Sequence, residues 1–121
     1  MDANYKPLTI ATVILPRGKG EIAAGKIKDV PSFSFVCLGR GTANTDILDY
    51  LGLGETEKDV LFIAADSENS LKIKEILKKE IDFDTAGSGV YFSIPISSVA
   101  GPVNYAILSG QTSKENEHEQ I

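Results

Sequence analysis

Residues 36–65 read "VCLGRGTANTDILDYLGLGETEKDVLFIAA". The stretch opens as a strand and closes as one. The 21 residues between Leu38 and Val60 fit neither. Hairpin loops take about two to five residues, so this connection is far longer than strand pairing requires. It opens with Gly39-Arg40-Gly41-Thr42. Its position decides the fold, because the chain on each side of it repeats one order: strand, helix, strand.

In the first half, residues 8–15 ("LTIATVIL") form a β-branched, largely buried strand stopped by Pro16. Ile22, Ala23, Lys26 and Ile27 then share one helical face; the helix is weakened by Gly25 and ends before Pro31. Residues 32–38 ("SFSFVCL") are a strand with Phe33 and Phe35 on one face. In the second half, residues 60–65 are a short apolar strand. Asp66 and Ser67 are helix N-cap types. Leu71, Ile73, Ile76 and Leu77 follow at helical spacing, with lysines placed late, where the helix dipole favours them. Residues 82–89 are a loop, residues 90–96 a strand, and residues 103–108 a last short strand. The order predicts an α+β, ferredoxin-like split βαβ fold: βαββαβ, an antiparallel sheet with two helices on one face. The strands are apolar on both sides. The second sheet face therefore needs cover, and self-association is expected.

The chain has 121 residues, 42% of them hydrophobic, and a net charge of −5. This predicts one domain over residues 1–109 and a polar C-terminal tail over 110–121. The charge argues against nucleic acid, which selects a basic stripe. No apolar run approaches the roughly 20 residues of a membrane span, and residues 1–8 lack the pattern of a signal peptide. A cytoplasmic protein is expected. The single Cys37 reads as a buried, inert thiol, and the single His118 as part of the solvated tail. No metal set and no nucleophile, acid or base set emerges, so no enzyme is expected.

Three of the chain's glycine pairs flank its strands. Gly18-Lys19-Gly20, read with Ala23, has the form of a dinucleotide fingerprint. A second parallel strand ending in an acid is missing, so a plain strand-to-helix turn is the better reading. Gly39-Arg40-Gly41-Thr42 and Thr85-Ala86-Gly87-Ser88-Gly89 could each turn backbone N–H groups toward an anion, with Arg40 adding a forked donor. Packing subunits side by side could bring these two loops into one cleft.

The chain resembles the P-II nitrogen-regulatory family, and more closely its divergent P-II-like branch. "VILP" in the first strand, "LGRGT", "EKDVLFIAAD" and "DTAGSGVYFSIPISSVAG" carry the resemblance, in that order. It implies a homotrimer that binds ATP, ADP or AMP between subunits as a regulatory ligand. It also implies a signal passed to a target protein, a transporter or enzyme, through the long T-loop, here residues 39–58. By position, Val13 lines the adenine pocket and Ala64 sits under the adenine. Leu38, Gly39, Arg40, Gly41 and Thr42 form the T-loop base, with Arg40 near the phosphates. Thr85, Ala86, Gly87, Ser88, Gly89 and Val90 form the phosphate-cradling B-loop. Lys58 falls at the lysine that meets 2-oxoglutarate.

The departures are specific. The lysine expected after the B-loop glycines is Val90. Two arginines expected near the C-terminus are Gly101 and Val103. A glutamine of the T-loop base is Gly41. Fewer cations imply weaker triphosphate binding. A trimeric adaptor without nucleotide is the alternative. Within the long connection, Thr45 or Asp46 as a cap and Ile47, Leu48 and Leu51 on one face predict a short helix.

Overall fold

The computed structural model describes residues 6–40, 46 and 57–111. Four strands form one antiparallel sheet in the order β2-β3-β1-β4: β1 (Leu8–Pro16), β2 (Phe33–Arg40), β3 (Glu57–Asp66) and β4 (Val90–Ile96). Helix α1 (Gly20–Lys26) joins β1 to β2, and α2 (Ser67–Glu80) joins β3 to β4. This is the expected split βαβ sheet. The strands run further than the sequence pattern showed, which narrows the long connection to residues 41–56.

Alternation along each strand sorts the side chains. Ala11, Val13 and Leu15 of β1 and Leu61, Ile63 and Ala65 of β3 join Ala23, Ile27, Ile73 and Leu77 in the core. These strand positions face the helices. Helix α2 starts where expected: the Asp66 carboxylate accepts a hydrogen bond from the Asn69 amide at 2.8 Å, the N-cap arrangement. Of its four apolar positions, Ile73 and Leu77 are buried, whereas Leu71 is exposed.

The other sheet face carries no long helix among the described residues. Phe33, Phe35 and Cys37 of β2 stand opposite Ala64, Phe62 and Val60 of β3. Ile10, Thr12 and Ile14 of β1 stand opposite Ile94, Phe92 and Val90 of β4. Phe35 stacks on Phe62 with ring centres 5.1 Å apart. Phe33, Phe35, Phe92 and Ile94 are exposed. Cys37 lies on this face and is half-buried rather than buried as expected.

The expected fifth strand is instead a helix, α3 (Pro102–Leu108). Pro102 lacks an N–H and has a fixed φ, both suited to a first helical turn. Gly101 before it adopts φ 96. Tyr105 turns inward, and its hydroxyl donates to the Lys6 carbonyl at 2.6 Å. A side chain on Gly110 would collide with the Ser32 amide nitrogen, so glycine allows the chain after α3 to close on residues 31–32. The domain's contacts thus reach at least Gly110, and residues 112–121 lie outside the described part.

Candidate functional site

The register places the roots of the long connection and the glycine loop at one end of the sheet. Leu38 pairs with Asp59, Asp59 with Leu15, and Ile14 with Val90. Gly89 packs directly on Leu15. Three strand spacings separate Leu38 from Gly89, roughly 14 Å. Within one subunit the two loops therefore share an edge but do not touch through short side chains.

The loop over 82–89 is held by its own bonds. The Thr85 amide donates to the Asp82 carbonyl at 3.2 Å, and the Ser88 amide to the Thr85 carbonyl at 3.1 Å. The Asp82 carboxylate accepts from the Asp84 amide at 3.1 Å and the Thr85 hydroxyl at 2.5 Å. No acceptor for the N–H groups of Ala86, Gly87 or Gly89 occurs among the described residues. Gly87 adopts φ 87, in the left-handed region. A cavity of about 370 Å³ lies beside the loop, lined by Phe83, Asp84, Thr85, Ala86, Gly89, Val90 and Tyr91. The Phe83 and Tyr91 rings meet edge to face at 6.1 Å. Burial raises the Tyr91 phenol above its ordinary pKa, against the pull of hydrogen bonds to Ser70 and Ser93. Its hydroxyl therefore stays neutral at pH 7.

At the other root, Leu38 is 66% exposed and borders a cavity of about 300 Å³ with Arg17, Gly18, Glu21, Val36 and Asp59. Arg40 is exposed and makes no ion pair among the described residues. Gly39 lies opposite Lys58, and a side chain on Gly39 would press on Val60 at 2.9 Å. Lys58 is 8% exposed and has no ion pair among the described residues. Gly41 and Thr42 lie outside the described residues. So does the predicted helix over 46–51, apart from Asp46, which is helical.

Of the two adenine-pocket positions, Val13 stands opposite Tyr91 of the cavity lining, whereas Ala64 lies far from this edge. Val13 is in the helix-side core with no exposure. Ala64 is on the opposite face, paired with Ile10 and Phe33, six residues along β3 from Lys58. That is roughly 20 Å of strand.

The sequence pattern missed Asp59. Its carboxylate is 4% exposed and accepts from the Gly18 and Gly20 amides, both at 2.9 Å. Arg17 sits beside it, with Nε 3.9 Å from Asp59 Oδ1 and a bond of 2.8 Å to Glu57. The first glycine pair is thus a turn whose anion is built into the chain. Nothing in the local sequence marks this, because the acid lies about 40 residues away on β3.

No protein-family model and no curated protein matches the chain. Solved structures do. CPII from Thiomonas intermedia K12, bound to ADP, AMP and acetate, superposes with a TM-score of 0.59 at 17% identity, over 81% of this chain and 93% of that one. A PII-like signalling protein from Thermus thermophilus gives 0.57 at 17% identity, over 83% and 96%. A NIF3-related protein from Bacillus cereus gives 0.56 at 13% identity, over 77% of this chain but only 26% of that one. This chain spans about a quarter of that protein's length. The chain therefore has the fold of PII-like signalling proteins, a ferredoxin-like α+β sheet.

Proposed function

We propose that this chain is a PII-like regulatory protein. It binds an adenine nucleotide between subunits of a homotrimer and signals to a target protein through the connection over residues 39–58. One observation carries the reading: the unengaged amides of Ala86, Gly87 and Gly89 lie on the same sheet edge as the root of that connection. The ligand's phosphate meets those amides, and Arg40 of a neighbouring subunit supplies the charged donor. Val13, Ala64 and Lys58 take the roles the resemblance gives them only if assembly or ligand opens their surroundings. The exposed phenylalanines on the face opposite α1 and α2 supply the trimer contact. No helix among the described residues is long and apolar enough to cross a membrane.

Titration calorimetry with ATP, ADP and AMP tests the nucleotide. Arg40→Ala should weaken binding about 10- to 150-fold if it makes a charged hydrogen bond. Light scattering tests the trimer, and a monomer mass at micromolar concentration defeats it. The adaptor reading draws on a specific observation: no lysine or arginine lines the cavity beside the loop. Absence of binding by all three nucleotides, with the trimer intact, selects it.

A further inference from the structure

The loop's surroundings carry a charge pattern that bears on the ligand, and the inference rests on the nucleotide reading above. Among the described residues, Asp84 is the one charged residue lining the cavity beside the loop, and it is an acid. Asp82 lines a neighbouring cavity instead, with Ser88, Lys19 and Lys26, and its carboxylate is already engaged by the Asp84 amide and the Thr85 hydroxyl. The Thr85 and Ser88 amides are turned into the loop's own bonds. What remains for an anion is a short run of three backbone N–H groups. Against them stand the Phe83 and Tyr91 rings, flat apolar surface suited to a heterocycle. The volume, about 370 Å³, is at the small end of ligand pockets, which run from about 300 Å³ upward.

We infer that this site selects a nucleoside monophosphate over the di- and triphosphate. One phosphate sits on the amides of Ala86, Gly87 and Gly89, and the base lies against the Phe83 and Tyr91 pair. Further phosphates are turned toward Asp84, where no cation lines the cavity among the described residues and the neighbouring subunit's Arg40 already meets the first phosphate. At about 4 Å in a water-like dielectric, each added negative charge costs about 1 kcal/mol, or about three- to tenfold in affinity. The repulsion is screened by salt.

The test is titration calorimetry of the full chain with AMP, ADP and ATP, without divalent cation, at low and high salt. The wild type should bind AMP most tightly and ATP least, with the spread narrowing as salt rises. Asp84→Asn removes the charge at an exposed position whose side chain is not part of the loop's bonds. It should raise ATP affinity about three- to tenfold and change AMP affinity less. ATP binding more tightly than AMP overturns the inference and leaves the nucleotide function standing. So does a spread between AMP and ATP that Asp84→Asn does not narrow. Absence of binding by all three probes removes both.

Discussion

Two turns of this chain carry a glycine pair one residue apart, Gly18 with Gly20 and Gly87 with Gly89, and both sit at a strand end on the same sheet edge. In the first, a buried carboxylate from another strand fills the amides. In the second, the loop satisfies part of itself and leaves three amides without an acceptor among the described residues. A glycine pair therefore says that backbone N–H groups can converge. Whether they converge on a ligand or on the protein depends on a residue that the motif does not contain.

Removing Asp59 should produce the largest effect and would break the comparison most directly. Asp59→Ala strips the acceptor from two amides, one of them buried. Charged hydrogen bonds contribute about 1.5–3 kcal/mol each, so a loss of about 3–5 kcal/mol is expected in denaturant unfolding. A loss under about 1 kcal/mol would mean that water serves those amides equally well. The first turn would then be as open to a ligand as the second.

Glycine itself plays unlike parts in the two turns. A side chain at Gly89 would meet Leu15 at 2.8 Å and the Ile14 carbonyl at 3.3 Å. Gly89→Ala should cost about 2–3 kcal/mol through crowding of the core, with or without nucleotide. An affinity loss without a stability loss would instead mean that the added side chain meets the ligand rather than the core. Gly18 has φ 89 and open space around its missing side chain. Gly18→Ala should therefore cost only the left-handed backbone penalty, about 1–2 kcal/mol. Thermal unfolding of the two variants side by side checks the order.

These contrasts mark what could be read beforehand. Apolar periodicity located all four strands and α2, because strand alternation and the Asp66 cap are local signals. It failed at residues 103–108: a short apolar run has no decisive period, and the inward turn of Tyr105 to Lys6 spans 99 residues. Pro102 after Gly101 was the one local clue to a helix. At the candidate site, the loop over 82–89 was legible from its glycines. Asp59 was not, since its partners lie on another element. That Val13 is closed into the core, although it stands opposite Tyr91, follows from which sheet face the helices cover. A list of matching motifs does not contain that information.

The smallest effect concerns Arg17, the cation beside the carboxylate of the filled turn. It bonds Glu57 at 2.8 Å, and its Nε lies 3.9 Å from Asp59 Oδ1. One view makes Arg17 the counter-ion that permits a buried Asp59. The geometry favours the other. The Asp59 contact is long, the Arg17 side chain is 47% exposed, and the two amides already supply hydrogen bonds to the carboxylate. Exposed pairs contribute about 0.2–1 kcal/mol. Arg17→Ala should therefore lower stability by no more than about 1 kcal/mol, and added salt should erase most of the difference. A double-mutant cycle with Glu57→Gln should recover a coupling of a few tenths of a kcal/mol. If Arg17→Ala instead costs as much as Asp59→Ala, the amides alone do not hold the carboxylate. The first turn would then need a side-chain cation as well, the element that the cavity beside the second loop lacks.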